Sequence, residues 1–108
     1  MKTILPAMYP VPEGMVLWHA WKAGLAINTV DWLPTSAVRE GAEYWAARHL
    51  KSVPYTVHKV IVGQGVRGVA VGSDDLYEPE KEVLLQLGLK VNRLPGDNTW
   101  EVYMGQQG

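Results

Sequence analysis

The amino-acid sequence predicts an α+β fold, one helix against a predominantly antiparallel sheet. Three observations carry that expectation. The chain has 108 residues and a mass of 12.0 kDa, which suits a single compact domain built on one modest core. A helical period appears once, over residues 36–50. From Pro54 onward, short valine-rich runs alternate with glycine and proline breaks, the pattern of strands and turns.

The elements follow in order. The first dozen residues contain Pro6, Pro10 and Pro12 and are expected to wrap the surface. Glu13-Gly14 marks a turn, and residues 15–21 (MVLWHAW) read as a short, mostly buried strand. Residues 20–32 suit a helix or a loop with a strand equally well, and Pro34 stops whatever precedes it. Ser36 is a good N-cap for the helix that follows. Val38, Ala42, Trp45, Ala46 and His49 form its apolar stripe, with His49 packing at its end, while Arg39, Glu40, Glu43 and Arg48 lie off the stripe. Arg48 and Lys51 occupy the last turn, where the helix dipole favours cations. Residues 57–62 and 66–71 read as strands around Gly63-Gln64-Gly65. Two more strands are expected over 82–86 and 89–94, separated by Gly88. Pro95-Gly96-Asp97-Asn98 is a hairpin turn, and residues 99–103 return with alternating character.

Composition narrows the chemistry. Hydrophobic residues are 47% and charged residues 19%, with a mean hydropathy of −0.08, which is ordinary globular composition. A net charge of −1 argues against a general polyanion binder. The absence of cysteine removes disulfides, thiol catalysis and Cys-containing zinc sites, and points to a reducing compartment. No apolar run approaches the roughly 20 residues of a membrane helix, and the prolines near the start break any signal-peptide pattern. The acids are unevenly spread: residues 74–82 hold five acids and one base, net −4, against net +3 for the rest. Five Trp, five Tyr and no Phe give every aromatic ring a polar handle, which suits a binding cleft as well as a core.

Within the acidic segment, Glu80 and Glu82 stand two residues apart. In an extended segment they fall on one face at roughly 6–7 Å, close enough for each to disfavour the other's ionisation. Reactions with an oxocarbenium-like transition state use such a pair, one anion facing the developing cation and the other handling a proton. The alternative is a solvated acidic loop. His19, His49 and His58 stand 30 and 9 residues apart, so none has helical metal-ligand spacing and no metal is expected. His19 lies in an apolar strand, where a hydrogen-bonded core histidine is the common outcome. Residues 63–68 fit G-x-G-x-x-G, but β sequence follows where a dinucleotide site needs a helix, so these are turn glycines.

Larger segments carry a resemblance. Residues 65–73 (GVRGVAVGS), 77–85 (YEPEKEVLL) and 88–91 (GLKV) give a strand, an E-x-E-V-L-L segment and a glycine-led strand. Upstream stand 16–21 (VLWHAW), 32–36 (WLPTS) and 41–46 (GAEYWA). In this order they resemble the mono-ADP-ribosyltransferase family, which uses NAD as an ADP-ribose donor, over roughly residues 13–104. The resemblance implies two small, mainly antiparallel sheets around an NAD cleft with one main helix. It implies an enzyme that cleaves the nicotinamide–ribose bond and transfers ADP-ribose to a macromolecular acceptor, most naturally protein, with nucleic acid open.

By that resemblance Glu82 holds the ribose 2′-hydroxyl, Glu80 activates or orients the acceptor, and Tyr77 contacts it. His19 binds the adenine-side ribose or the nicotinamide amide, and Thr35 and Ser36 orient Glu82. NAD is the substrate, no metal is involved, and the setting is a cytoplasm, the cell's own or that of a host reached by a toxin or phage effector. The chain departs from the family in two places. The first-strand arginine is His19, as in the diphtheria-toxin and poly(ADP-ribose) polymerase branch, and the first serine of the S-T-S motif is Pro34. Other readings are the same scaffold without catalysis, an NAD glycohydrolase, and an interaction protein whose tryptophans stack on bases.

Overall fold

A computed structural model describes residues 8–71 and 82–104. Eight strands and one helix lie among them. In chain order they are β1 (Tyr9–Pro10), β2 (Val16–Lys22), β3 (Leu33–Ser36), α1 (Arg39–His49), β4 (Tyr55–Val62), β5 (Arg67–Val71), β6 (Glu82–Leu85), β7 (Lys90–Arg93) and β8 (Thr99–Tyr103).

The strands form one mixed sheet in the order β1-β5-β6-β3-β2-β4-β8-β7. Neighbours run antiparallel except β4 and β8, which are parallel. The expectation of two sheets is therefore corrected to one. The two halves meet at β2 and β3, which share a single register pair, Trp18 with Ser36. Pro34 explains why the seam is so thin. It has no N–H to offer β2, and its carbonyl is taken by the His19 side chain, whose Nδ1–H donates at 2.7 Å.

Pro34 also corrects the local reading. It does not stop an element but sits inside β3, paired with Leu84 of β6. Ser36 ends that strand, and the helix begins three residues later behind Val38, whose side chain caps nothing. Ser36 still serves the helix entry, because its Oγ accepts from the Val38 N–H at 3.3 Å. The opening prolines also do more than wrap the surface: Tyr9 and Pro10 add a two-residue edge strand to β5.

Two apolar layers hold the sheet. Side-chain alternation places Leu17 of β2, Leu33 of β3, Val60 and Val62 of β4, Leu85 of β6 and Val102 of β8 on one face, all at most 1% exposed. Full burial of each contributes roughly 1.5–3 kcal/mol relative to exposure. On the other face α1 lays Ala42, Ala46 and the following Leu50 against Ala20. Small residues at Gly41, Ala42 and Ala46 let the helix approach β2 closely. His49 does not enter this layer; it is exposed and stacks on Trp45 with ring centroids 4.6 Å apart. No described helix is long and apolar enough to cross a membrane.

Candidate functional site

The seam between β2 and β3 gathers residues that the sequence keeps far apart. Trp18 pairs with Ser36, and Ser36 pairs with Glu82 across β6. Register partners share a face, so Trp18, Ser36 and Glu82 form one row across three neighbouring strands. Glu82 opens β6 and is half-buried. It lines a narrow pocket with Trp18, Ser36, Gly41, Ala42 and Trp45, of about 10 Å³, room for about one water. Gly41 and Ala42 belong to the first turn of α1, where the helix dipole favours negative charge.

His19 follows Trp18 and therefore projects to the opposite face, where it pairs in register with His58 of β4. It is 3% exposed. A carbonyl oxygen only accepts, so the bond to Pro34 puts the imidazole proton on Nδ1 and leaves a lone pair on Nε2. Burial pushes the His19 pKa down to about 4; the Pro34 bond opposes the shift, and the neighbouring His58 adds to it. At neutral pH His19 is thus an uncharged acceptor. It lines an open cleft of about 200 Å³ with Trp21, Asn28, Asp31, Trp32 and Trp45. Trp21 stacks on the imidazole with centroids 6.1 Å apart, and Trp45 tilts toward it at 6.4 Å.

Pro34 and Trp45 line both spaces, so the His19 cleft and the Glu82 pocket adjoin across them. Thr35 is buried on the His19 side of the pleat, and its hydroxyl donates to the Val83 carbonyl at 2.6 Å. That bond ties β3 to the residue after Glu82. Ser36 is buried beside Glu82 in the row. Tyr77 and Glu80 lie outside the described residues. The structure thus brings His19, Thr35, Ser36 and Glu82 to one seam, with His19 and Glu82 on alternate sides of the pleat.

Sequence reasoning missed part of this site. Asn28, Asp31 and Trp32 fall in the stretch that had no regular period, and Trp45 read as helix stripe alone. The one available signal was Asp31-Trp32, a charged residue beside a large aromatic in a segment without a secondary-structure pattern. Among the described residues no three His, Asp or Glu side chains gather as a metal site. Comparison with protein families, characterised proteins and solved structures gives no match to the chain.

Proposed function

We propose that the chain is an NAD-dependent mono-ADP-ribosyltransferase whose chemistry takes place at the β2–β3–β6 seam. The supporting observation is the row itself. The three segments that carry the family resemblance, separated by up to some sixty residues, supply adjacent strands joined at Trp18, Ser36 and Glu82. Cleavage of the nicotinamide–ribose bond sends the bonding pair out with nicotinamide, which leaves neutral, and places positive charge on the ribose. A fixed Glu82 carboxylate near that ribose stabilises the transition state more than the ground state. The acceptor nucleophile then bonds to the ribose carbon and loses its proton, with Glu80 as the proposed base. His19 Nε2 can accept from a ribose hydroxyl or a carboxamide N–H but cannot donate. Histidine in the arginine position therefore selects a substrate group that offers hydrogen.

The test is nicotinamide release and transfer of label from NAD to cell proteins, for the wild type, Glu82→Gln and Glu80→Gln. Glu82→Gln keeps the shape and removes the charge, so both readouts should fall by about 10²–10³. Glu80→Gln should spare release and reduce transfer. Equal release by wild type and Glu82→Gln would refute the proposal.

One observation favours a second reading, the same scaffold acting as a binding module without transfer. The pocket beside Glu82 holds about one water, which is too little space for a ribose. A rise in melting temperature with NAD but no nicotinamide release would assign the chain to that reading.

A further inference from the structure

On the other side of β2 from the seam lies a second open pocket, of about 360 Å³, which shares no residue with the two spaces above. Its walls are the 24–26 loop, Thr56 and His58 of β4, Arg93 at the end of β7, and Asn98 and Trp100 around the start of β8. The volume falls within the range of small-molecule sites, about 300–1,000 Å³.

The Trp100 indole N–H donates to His58 Nδ1 at 3.0 Å. An indole nitrogen donates only, so Nδ1 carries the lone pair and neutral His58 keeps its proton on Nε2. That Nε2–H is buried, and no described residue accepts from it. His58 itself is 4% exposed. Such an orphan donor is rare in a folded protein and calls for an acceptor. The Arg93 guanidinium lies 5.2 Å from the Trp100 ring centroid, held over its face. Thr56 and Asn98 add a hydroxyl and an amide, and among the described residues no Asp or Glu lines the pocket. Burial, and then the charge of Arg93, push the His58 pKa down.

We infer that this pocket binds a small organic oxyanion, a phosphate monoester or a carboxylate, with the Arg93 guanidinium as its counter-ion. The planar fork of Arg93 suits two oxygens of either group, and stacking on Trp100 restrains that fork before the ligand arrives. Thr56 and Asn98 supply further donors at the rim. An oxygen of the ligand would give the buried His58 Nε2–H the acceptor it lacks among the described residues. Leu25, which is 53% exposed, and Ala26 offer an apolar wall for the body of the ligand.

The test is a titration of the whole chain with glycerol 3-phosphate, inorganic phosphate and acetate at constant ionic strength. It is followed by two-dimensional ¹H–¹⁵N NMR at the Trp100 indole N–H and the His58 ring nitrogens. Constant ionic strength separates a site from general screening. The expected result is a saturable, millimolar shift of both reporters with at least one of the three anions. Arg93→Ala should weaken it by about tenfold or more, about 1.4 kcal/mol. Arg67→Ala, which removes an exposed arginine on β5, should leave it unchanged. Saturation by the two phosphates alone assigns the site to phosphate, and saturation by acetate as well assigns it to oxyanions in general. Arg93 is exposed, and unchanged resonances elsewhere in the Arg93→Ala spectrum certify its fold. No saturable shift with any anion, or an equal shift in Arg93→Ala, overturns the inference.

Discussion

Acidification charges a histidine that the fold holds neutral, and the stability of the protein should fall in a defined window. The His19 imidazole moves from an ordinary 6.5 to about 4 on folding, chiefly because burial strips water from the charged form. Between these two values the unfolded chain binds the proton and the folded chain does not. Stability is therefore full above about pH 6.5, declines as the pH falls toward about 4, and levels off below. The gap between the two values corresponds to about 3 kcal/mol. A domain of this size has roughly 5–15 kcal/mol in total, so the loss is large. Urea unfolding of the wild type and His19→Gln across that window isolates the effect. Glutamine has an N–H for the Pro34 carbonyl but does not titrate. The carboxylates titrate in both proteins and cancel in the difference, and the coupling of His19 to His58 is the smallest of the causes of its shift. The stability difference between wild type and variant should shrink by about 3 kcal/mol as the pH falls through the window. Parallel pH profiles would refute the assignment of His19 as a buried neutral acceptor.

Two further outcomes test the fold around the sites. Gly63→Ala brings a Cβ within 3.0 Å of the Val102 carbonyl and the Tyr103 Cβ on β8, atoms that cannot swing aside, so it should cost about 1–3 kcal/mol by urea unfolding, and wild-type stability would contradict that packing. Trp100→Phe removes the donor to His58 Nδ1 and strands a buried acceptor, at about 1–3 kcal/mol. The same substitution in a His58→Leu background should cost clearly less, and an equal cost in both backgrounds would show that the bond contributes nothing.

The strands β2 and β4 to β8 were legible because each bounds itself locally. Residues 99–103 alternate, and β8 occupies the same five positions; Gly63 and Gly88 fall between elements, as glycine breaks do. The helix was legible from Ala42 and Ala46, which do form its buried face. Its start was not, because Ser36 satisfies the chemistry of an N-cap whether or not a strand claims it first. Which strand lies beside which was not legible, since β3 and β6 are some fifty residues apart and nothing in either names the other.

The failures of local reading have a common cause and a common place. Pro34 reads as a stop because a strand interior normally needs its N–H. It is tolerated in β3 because the β2 side of that strand carries no rung at its position, and this depends on a pairing that no window of sequence contains. The missing rungs leave the space that His19 lines, and the His19 side chain takes the carbonyl that a β2 backbone N–H would have bonded. Residues 28, 31 and 32 lack a period because they border that space and pair with neither flanking strand. Farther along the same face, His58 keeps a donor without an acceptor among the described residues. Chains selected only for stability remove such inconsistencies, and those that persist collect where something other than the fold is served. Here they fall on the walls of the His19 cleft and the Arg93 pocket. That coincidence is a physical reason to look for ligands in these two places, and it holds whatever name the scaffold is given.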